Sequence, residues 1–313
     1  MDYSIVVPLY NEEEVIAESH KRLSEAMERC GGEYELIFVN DGSRDGTMEL
    51  AREIARKDNN VKIISFSRNF GHQVAITAGM NEASGKAVVV IDADLQDPPL
   101  VILDMIAKWK EGYEVVYGKR IGRKGETAFK KATASVFYRV LNKLTDVDIP
   151  VDAGDFRLLD RKVIEALKSL PERNRYVRGL VSWVGFRQTA VEYVREERFA
   201  GQTKYPLRKM LRFATDALTS FSYKPLKLSA IIGGILALCS FAYLIVVLYL
   251  RLFTDVTITG WASLAVISLF FNGVVLIMLG IIGEYIGRIY DESKGRPLYI
   301  IGEEIGFGDG KQE

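Results

Sequence analysis

Asp92 and Asp94 stand two residues apart at the end of an apolar run, within VVVIDADLQDPP (88–99). On a regular strand, residues i and i+2 point the same way, so two carboxylates there repel one another. A divalent cation between them removes that repulsion, because hard cations take carboxylate oxygens. Pro98-Pro99 stops the chain from continuing in register, and open α/β sheets bind ligands at the carboxyl ends of their strands. The chemistry implied is cation-assisted handling of an anionic substrate. An Asp-rich turn with no metal uses the same residue types, so the surroundings must decide.

Those surroundings read as alternating strands and helices. Strands are expected at Ser4–Leu9, Tyr34–Asn40, Val61–Phe66, Val88–Ile91 and Val115–Gly118. Helices are expected over Glu12–Arg29, Thr47–Lys57, Gly71–Ala83 and about Pro99–Glu111, the first with an acidic opening turn that suits the helix dipole. This alternation predicts βαβ units and an α/β fold with a mostly parallel sheet. A dinucleotide fold would share the pattern, but Pro8-Leu9-Tyr10-Asn11-Glu12 follows the first strand where G-x-G-x-x-G would be needed, and the chain holds no G-x-x-x-x-G-K-[ST].

Lys+Arg and Asp+Glu both total 41, so net charge points to no partner and gives no reason to invoke nucleic acid. Cys30 and Cys239 lie in unlike contexts, which implies neither a disulfide framework nor a cysteine metal site, and suits a reducing compartment. The apolar stretch near the N-terminus is short and runs into Asn11-Glu12-Glu13-Glu14, so no cleaved leader is expected.

The last third changes character. Leu228–Leu250 and Trp261–Gly283 are each 23 residues without a charge. At about 1.5 Å per residue each reaches roughly 35 Å, enough to span a bilayer core. Arg208, Lys209, Arg212, Lys224 and Lys227 precede the first and Arg288, Lys294 and Arg296 follow the second, whereas the loop between holds only Arg251. The positive-inside rule then puts both termini in the cytoplasm, joined to a two-helix hairpin in the plasma (inner) membrane. Segments 128–144 and 205–222 carry apolar stripes beside basic faces, which suits either an ordinary core or the membrane interface. The expected organisation is a cytoplasmic domain over 1–204 that includes the 128–144 helix, a juxtamembrane helix at 205–225, a hairpin at 226–290 and a cytoplasmic tail at 291–313.

With the hairpin and the acidic strand tip together, the chain resembles family 2 glycosyltransferases of GT-A fold. More narrowly it is similar to the polyisoprenyl-phosphate branch, which includes dolichol-phosphate mannose synthases and bacterial undecaprenyl-phosphate glucosyltransferases. VVPLYNEE (6–13), VNDGSRDGT (39–47), SRNFGHQ (67–73), DADLQDPP (92–99), GDFRL (154–158) and GEYIGRIY (283–290) carry the likeness over nearly the whole chain.

The resemblance implies roles for individual residues. Pro8, Tyr10, Glu12 and Asp41 would hold the donor nucleotide, with Arg68 and Asn69 flanking it. Asp92, Asp94 and Gln96 would ligate or orient Mg²⁺ or Mn²⁺ on the diphosphate. Asp155 matches the acidic position usually named as catalytic base, while Arg120, Lys131, Ser135 and Lys204 match groups that hold donor and acceptor phosphates. A phosphate monoester has a second pKa near about 6, so such an acceptor leaves a base little proton to remove, and Asp155 is expected to orient rather than deprotonate. The implied reaction is inverting transfer of glucose or a related sugar from a nucleotide-sugar, expected to be a UDP-sugar, to a polyprenyl phosphate such as undecaprenyl phosphate. A homo-oligomer is also expected, with Asn272, Gly273 and Gly280 lining a helix contact. The alternatives are a processive polysaccharide synthase and a non-catalytic membrane scaffold. The first lacks a Q-x-x-R-W pattern around Arg178–Trp183, and the intact Asp92, Asp94 and Asp155 speak against the second.

Overall fold

A computed structural model describes residues 1–121, 150, 153–173, 175–196, 224–253 and 260–307. The first part alternates β1 (Tyr3–Leu9), α1 (Ile16–Cys30), β2 (Tyr34–Asn40), α2 (Thr47–Lys57), β3 (Val61–Phe66), α3 (His72–Glu82), β4 (Ala87–Val90), α4 (Val101–Lys110) and β5 (Val115–Arg120). Then come β6 (Ala153–Asp160), α5 (Arg161–Lys168), α6 (Val177–Trp183), β7 (Gln188–Tyr193), α7 (Lys224–Phe253), α8 (Trp261–Ser293) and β8 (Ile301–Ile305).

The strands form one sheet in the order β7-β5-β6-β4-β1-β2-β3-β8. Of these, β6 and β8 run against the rest. The expected α/β fold with a mostly parallel sheet is therefore the observed one. Both faces are covered, as all-parallel stretches require. Ile5, Val7, Leu36, Phe38 and Val89 pack with α1, α2 and α4, while Val6, Ile37, Val39, Val88 and Val90 pack with α3, α5 and α6.

A proline inside a central strand ordinarily breaks a ladder. Pro8 is tolerated because β4 leaves the sheet early. Pairing of β1 with β4 stops at Val6 and Val90, and the amide of Ile91 donates to the Val6 carbonyl at 3.1 Å. Pro8, two residues on, would direct its missing N–H to the side β4 has vacated. Pro8 still aligns with Val39 of β2. The same early exit frees Asp92 and Asp94 from strand geometry, so the turn that follows β4 aims them. Within that turn Leu95 is almost fully buried at φ +58°, a costly conformation for a bulky residue.

Helix α1 starts four residues later than the sequence leads one to expect. Glu12–Glu14 are taken up in a turn whose groups serve the start of α2. The Glu12 amide donates to Thr47 Oγ1 at 2.8 Å, and Glu13 Oε2 accepts from the Gly46 amide at 2.7 Å.

In the C-terminal part, α7 and α8 span 30 and 33 residues and lie against each other. Large apolar side chains stand exposed along both, among them Leu238 and Leu264 at 71% each. Among the described residues, Val266–Ser293 is the one stretch long and apolar enough to cross a membrane, with a mean hydropathy of 2.4, and Ser229–Tyr243 is a shorter apolar stretch. After α8 the chain returns to the domain. β8 pairs antiparallel with β3, Arg52 forks onto Glu303 at 3.1 and 2.6 Å, and Tyr299 stacks on Phe66 at 5.1 Å. The expected helices at 128–144 and 205–222 lie outside the described residues.

Candidate active site

The parallel strands end on one edge of the sheet, and β6, running the other way, starts there. Tyr10 follows β1, Asp41 follows β2, Arg68 and Asn69 follow β3, Asp92 to Gln96 follow β4, Arg120 closes β5, and Asp155 stands near the start of β6. The described residues named from the resemblance thus gather at the edge where the parallel strands end. Lys131, Ser135 and Lys204 lie outside the described residues.

One flank is built by hydrogen bonds between loops. Asn11, at φ +54°, accepts from the Arg44 amide through its Oδ1 at 2.9 Å, and its own amide donates to Ser43 Oγ at 3.0 Å. Asp41 is nearly buried and is held by the loop after β3. Its Oδ1 accepts from the Phe70 amide at 2.6 Å, and its Oδ2 accepts from the Gly71 amide and Asn69 Nδ2, both at 2.9 Å. Burial raises its pKa, against the pull of those amides. Asn69 therefore serves Asp41, while the exposed Arg68 lies over the Phe70 ring at 4.0 Å. Tyr10 is exposed at the rim and Pro8 is buried within β1.

The other flank is acidic. β4 and β6 align Val90 with Arg157, and beyond that pair the turn after β4 and the start of β6 bring Asp92 and Asp155 to either side of one imidazole. His72, the first residue of α3, lies between them, with Nε2 3.4 Å from Asp92 and 3.5 Å from Asp155. Burial opposes a charge on that imidazole, but the hydrogen bond and charge of Asp155 with the charge of Asp92 outweigh it and raise its pKa to about 9.

Asp155 is fully engaged. Arg178 forks onto it, Nε to Oδ1 at 2.8 Å and Nη2 to Oδ2 at 3.0 Å, and Gln73 Nε2 adds a bond at 3.3 Å. Gln73 in turn accepts from the Val177 amide at 3.0 Å, which locks α6 to α3. Burial pushes the Asp155 pKa up, yet Arg178 and His72 hold it well below the usual carboxylate range. Asp92 is the opposite case. Its Oδ1 is buried without a hydrogen-bond partner, and burial raises its pKa, with Asp155, Asp94 and Asp97 adding to the rise and His72 opposing it. Asp94 Oδ1 accepts from the Gln96 amide at 3.1 Å.

Among the described residues no three His, Cys, Asp or Glu side chains converge as a ready-made metal cage. The donor set still fits a hard cation that keeps part of its shell for water and phosphate oxygens, as Mg²⁺ does. Asp92 Oδ1, which has no hydrogen bond and only the His72 imidazole 3.4 Å away, is the atom such an ion would satisfy.

His72, Gln73, Arg178, Asp97, Tyr193 and Arg195 belong to this edge and were not singled out from sequence. His72 and Gln73 lie inside SRNFGHQ, whereas Arg178 reaches Asp155 across 23 residues with no local pattern to mark it.

A family model described as glycosyl transferase family 2 matches residues 4–168. The chain is 64% identical to the uncharacterized glycosyltransferase YkcC of Bacillus subtilis (strain 168), over 98% of this chain and 95% of that one. It is 45% identical to the bactoprenol glucosyl transferase of Shigella phage SfV, over 97% and 99%. Among solved structures, glucosyl-3-phosphoglycerate synthase from Mycobacterium tuberculosis in complex with UDP aligns with a TM-score of 0.48 and 21% identity, over 70% of this chain and 78% of that chain.

Proposed function

The chain belongs to glycosyl transferase family 2, and from that premise we propose that it moves glucose or a related hexose from a UDP-sugar to a polyprenyl phosphate. Undecaprenyl phosphate at the cytoplasmic face of the plasma membrane is the acceptor in this reading. The observation that carries it is the buried Oδ1 of Asp92, which has no hydrogen bond, two residues before Asp94 at the sheet edge, in a chain alike over nearly its whole length to a bactoprenol glucosyl transferase.

In the proposed reaction an acceptor phosphate oxygen attacks the anomeric carbon. The bond from that carbon to the donor diphosphate breaks, its electron pair leaves with the nucleotide, and the anomeric configuration inverts. Asp92 and Asp94, with Gln96 beside them, would hold Mg²⁺ or Mn²⁺, which would neutralise charge developing on the leaving diphosphate. Arg120 faces the same edge as a phosphate-binding group, and Lys131, Ser135 and Lys204 are proposed for the acceptor phosphate. Pro8, Tyr10, Glu12 and Asp41 would line the nucleotide's side, Asp41 acting partly through the Arg68–Asn69 loop that it fixes.

Asp155 is proposed to orient acceptor or donor. A carboxylate engaged by an arginine fork is a weak proton acceptor, and a phosphate monoester above its second pKa of about 6 needs no base. In Asp155→Asn the rate loss persists above about pH 7.5, where the acceptor is fully ionised. Recovery of the rate there would restore the general-base role.

The hairpin reading draws support from the return of the chain to the sheet. Because β8 pairs with β3, α8 ends on the side of the domain, and α7 also starts from that side if both helices span. Exposed apolar side chains along both helices suit lipid, and Lys224, Lys227, Arg288, Lys294 and Arg296 suit the cytoplasmic side. Pairing of copies through Asn272, Gly273 and Gly280 is testable by the mass of the purified protein in detergent.

The decisive experiment supplies UDP-glucose, Mn²⁺ and undecaprenyl phosphate and reads the lipid product by mass. Transfer by the wild type and its loss in Asp94→Asn support the proposal. Equal transfer by both proteins removes the metal site from it, and transfer by neither removes the substrates named here.

A further inference from the structure

Beside the acidic flank lies a second cluster, of which the reaction above uses only Arg120. Asp97, in the turn after Asp92 and Asp94, is 1% exposed. Tyr193, the last residue of β7, donates its hydroxyl to Asp97 Oδ1 at 2.5 Å. Arg120 reaches the other oxygen, Nη2 to Oδ2 at 3.5 Å, and donates from Nε to the Tyr193 hydroxyl at 3.2 Å. Arg195 approaches the same oxygen as Tyr193, with Nε 3.5 Å from Oδ1.

Backbone bonds tie the three strand ends together. The Glu196 amide donates to the Gln96 carbonyl at 2.9 Å, and the Ile121 amide to the Tyr193 carbonyl at 2.8 Å.

Two guanidiniums thus share one buried carboxylate, and neither makes the short forked contact that Arg178 makes with Asp155. Charge-assisted N–H···O bonds settle near 2.7–2.9 Å, so contacts at 3.5 Å leave both arginines with donor capacity to spend on another acceptor. The Arg195 Nε is buried and lacks a geometrically good hydrogen bond. Arg120 and Arg195 outnumber the Asp97 charge by one, because burial and the Asp97 charge raise the Tyr193 pKa and keep the phenol neutral, and Asp94 is a further carboxylate that acts on Arg195. Burial and the Arg120 charge together lower the Arg195 pKa, whereas Asp97 and Tyr193 overcome burial and raise that of Arg120. A second anion beside Arg195 would offset the Arg120 charge.

The backbone makes room for one of the two. At Gly154 any Cβ would sit 2.5 Å from Arg120 Nη2, so the absence of a side chain there lets the guanidinium lie against the start of β6, next to Asp155. Arg120 therefore lies beside the start of β6, while Arg195 lies against Asp97 and feels the charge of Asp94.

We propose that Arg195 is a second phosphoryl-binding group beside Arg120, and that Asp97 is the positioning residue that holds both guanidiniums toward the pocket. This rests on the transferase reading for the source of the phosphoryl group, which is either the donor diphosphate or the acceptor phosphomonoester. Planar guanidiniums suit both.

The test uses the full chain in detergent with inorganic pyrophosphate and inorganic phosphate as probes, and separately with uridine, UDP-glucose and undecaprenyl phosphate. Arg195→Gln weakens pyrophosphate or phosphate binding by about 10- to 100-fold, the range for losing one charge-assisted contact, while uridine binding stays as in the wild type. Arg195→Lys recovers part of the loss. Asp97→Asn moves the same constant in the same direction, and Arg195→Gln added to it costs less than it does in the wild type. A raised KM for UDP-glucose assigns the donor diphosphate, a raised KM for the lipid assigns the acceptor, and kcat falls less than either KM rises. Pyrophosphate and phosphate binding within about twofold of wild type in Arg195→Gln overturns the proposal. Because these probes carry no sugar, nucleoside or lipid, that outcome is decisive whether or not the wild type transfers glucose.

Discussion

Two carboxylates face one another at the edge of the sheet and are treated in opposite ways. Asp155 has both oxygens hydrogen-bonded, by the Arg178 fork and Gln73, and its pKa is held down. Asp92 Oδ1 has no hydrogen bond and only the His72 imidazole 3.4 Å away, and its pKa is pushed up. Buried acceptors in folded proteins are ordinarily satisfied. A fold that satisfies one carboxylate fully and leaves its neighbour short is arranged around something that binds at the second. Asp155 reads as part of the frame, and Asp92 as part of the opening.

Substitution should separate the two. Asp92→Asn is expected to lower transfer by at least about 100-fold, the scale for losing an electrostatic partner of the leaving group. The same variant should keep the melting temperature of the chelated protein unchanged or raise it, since a disfavoured buried charge is gone. Arg178→Ala should do the reverse in stability and lower it by about 3 kcal/mol, because it strands a buried carboxylate. If Asp92→Asn destabilises as much as Arg178→Ala in chemical denaturation, the contrast between frame and opening fails.

A third change probes the other flank. Gly42 sits at φ +65°, and a Cβ there would lie 2.5 Å from the Arg68 carbonyl carbon and 2.6 Å from the Asn69 nitrogen. These are backbone atoms with no rotamer to escape into. Gly42→Ala should cost about 2 kcal/mol and weaken UDP binding as the loop that holds Asp41 is displaced. An unchanged affinity would detach Asp41 from the nucleotide side.

Much of this arrangement is legible in the sequence. The first five strands lie where apolar runs between turn residues put them, and β2, α2 and β3 match residue for residue. Asp92 and Asp94 at a strand tip, and Asp41 before Gly42, are local patterns. The partners of Asp155 and Asp97 are not legible, because Arg178, Tyr193 and Arg195 come from α6, β7 and the chain after them, brought back by an antiparallel β6 that no local periodicity announces. β8 is hidden for a similar reason. Its alternation, Ile301, Glu303 and Ile305, is brief, and its partner β3 lies far back in the chain. The start of α1 is misplaced because Glu12 and Glu13 bond to the start of α2, a long-range use of residues that look like a helix's first turn.

The smallest effect is the one most specific to Asp155. With Arg178 present the folded pKa lies well below 3.8, so the contribution of the pair is complete above the unfolded value of about 3.9 and is lost only as pH falls through the lower folded value. The wild type should therefore show no change from this group between pH 7 and 5. Removing Arg178 takes away the main charge opposing burial, and the Asp155 pKa then moves upward. For a carboxyl whose folded pKa exceeds the unfolded one, stability falls as pH rises through the interval between the two and recovers on acidification. The deficit of Arg178→Ala should accordingly shrink as pH is lowered from 7 toward the unfolded value of about 3.9. His72, held protonated up to about 9, keeps the same charge across that window and does not mask the change. A deficit that stays constant or grows on acidification would mean that Arg178 supports the fold by packing alone, and that Asp155 owes its ionisation to something else.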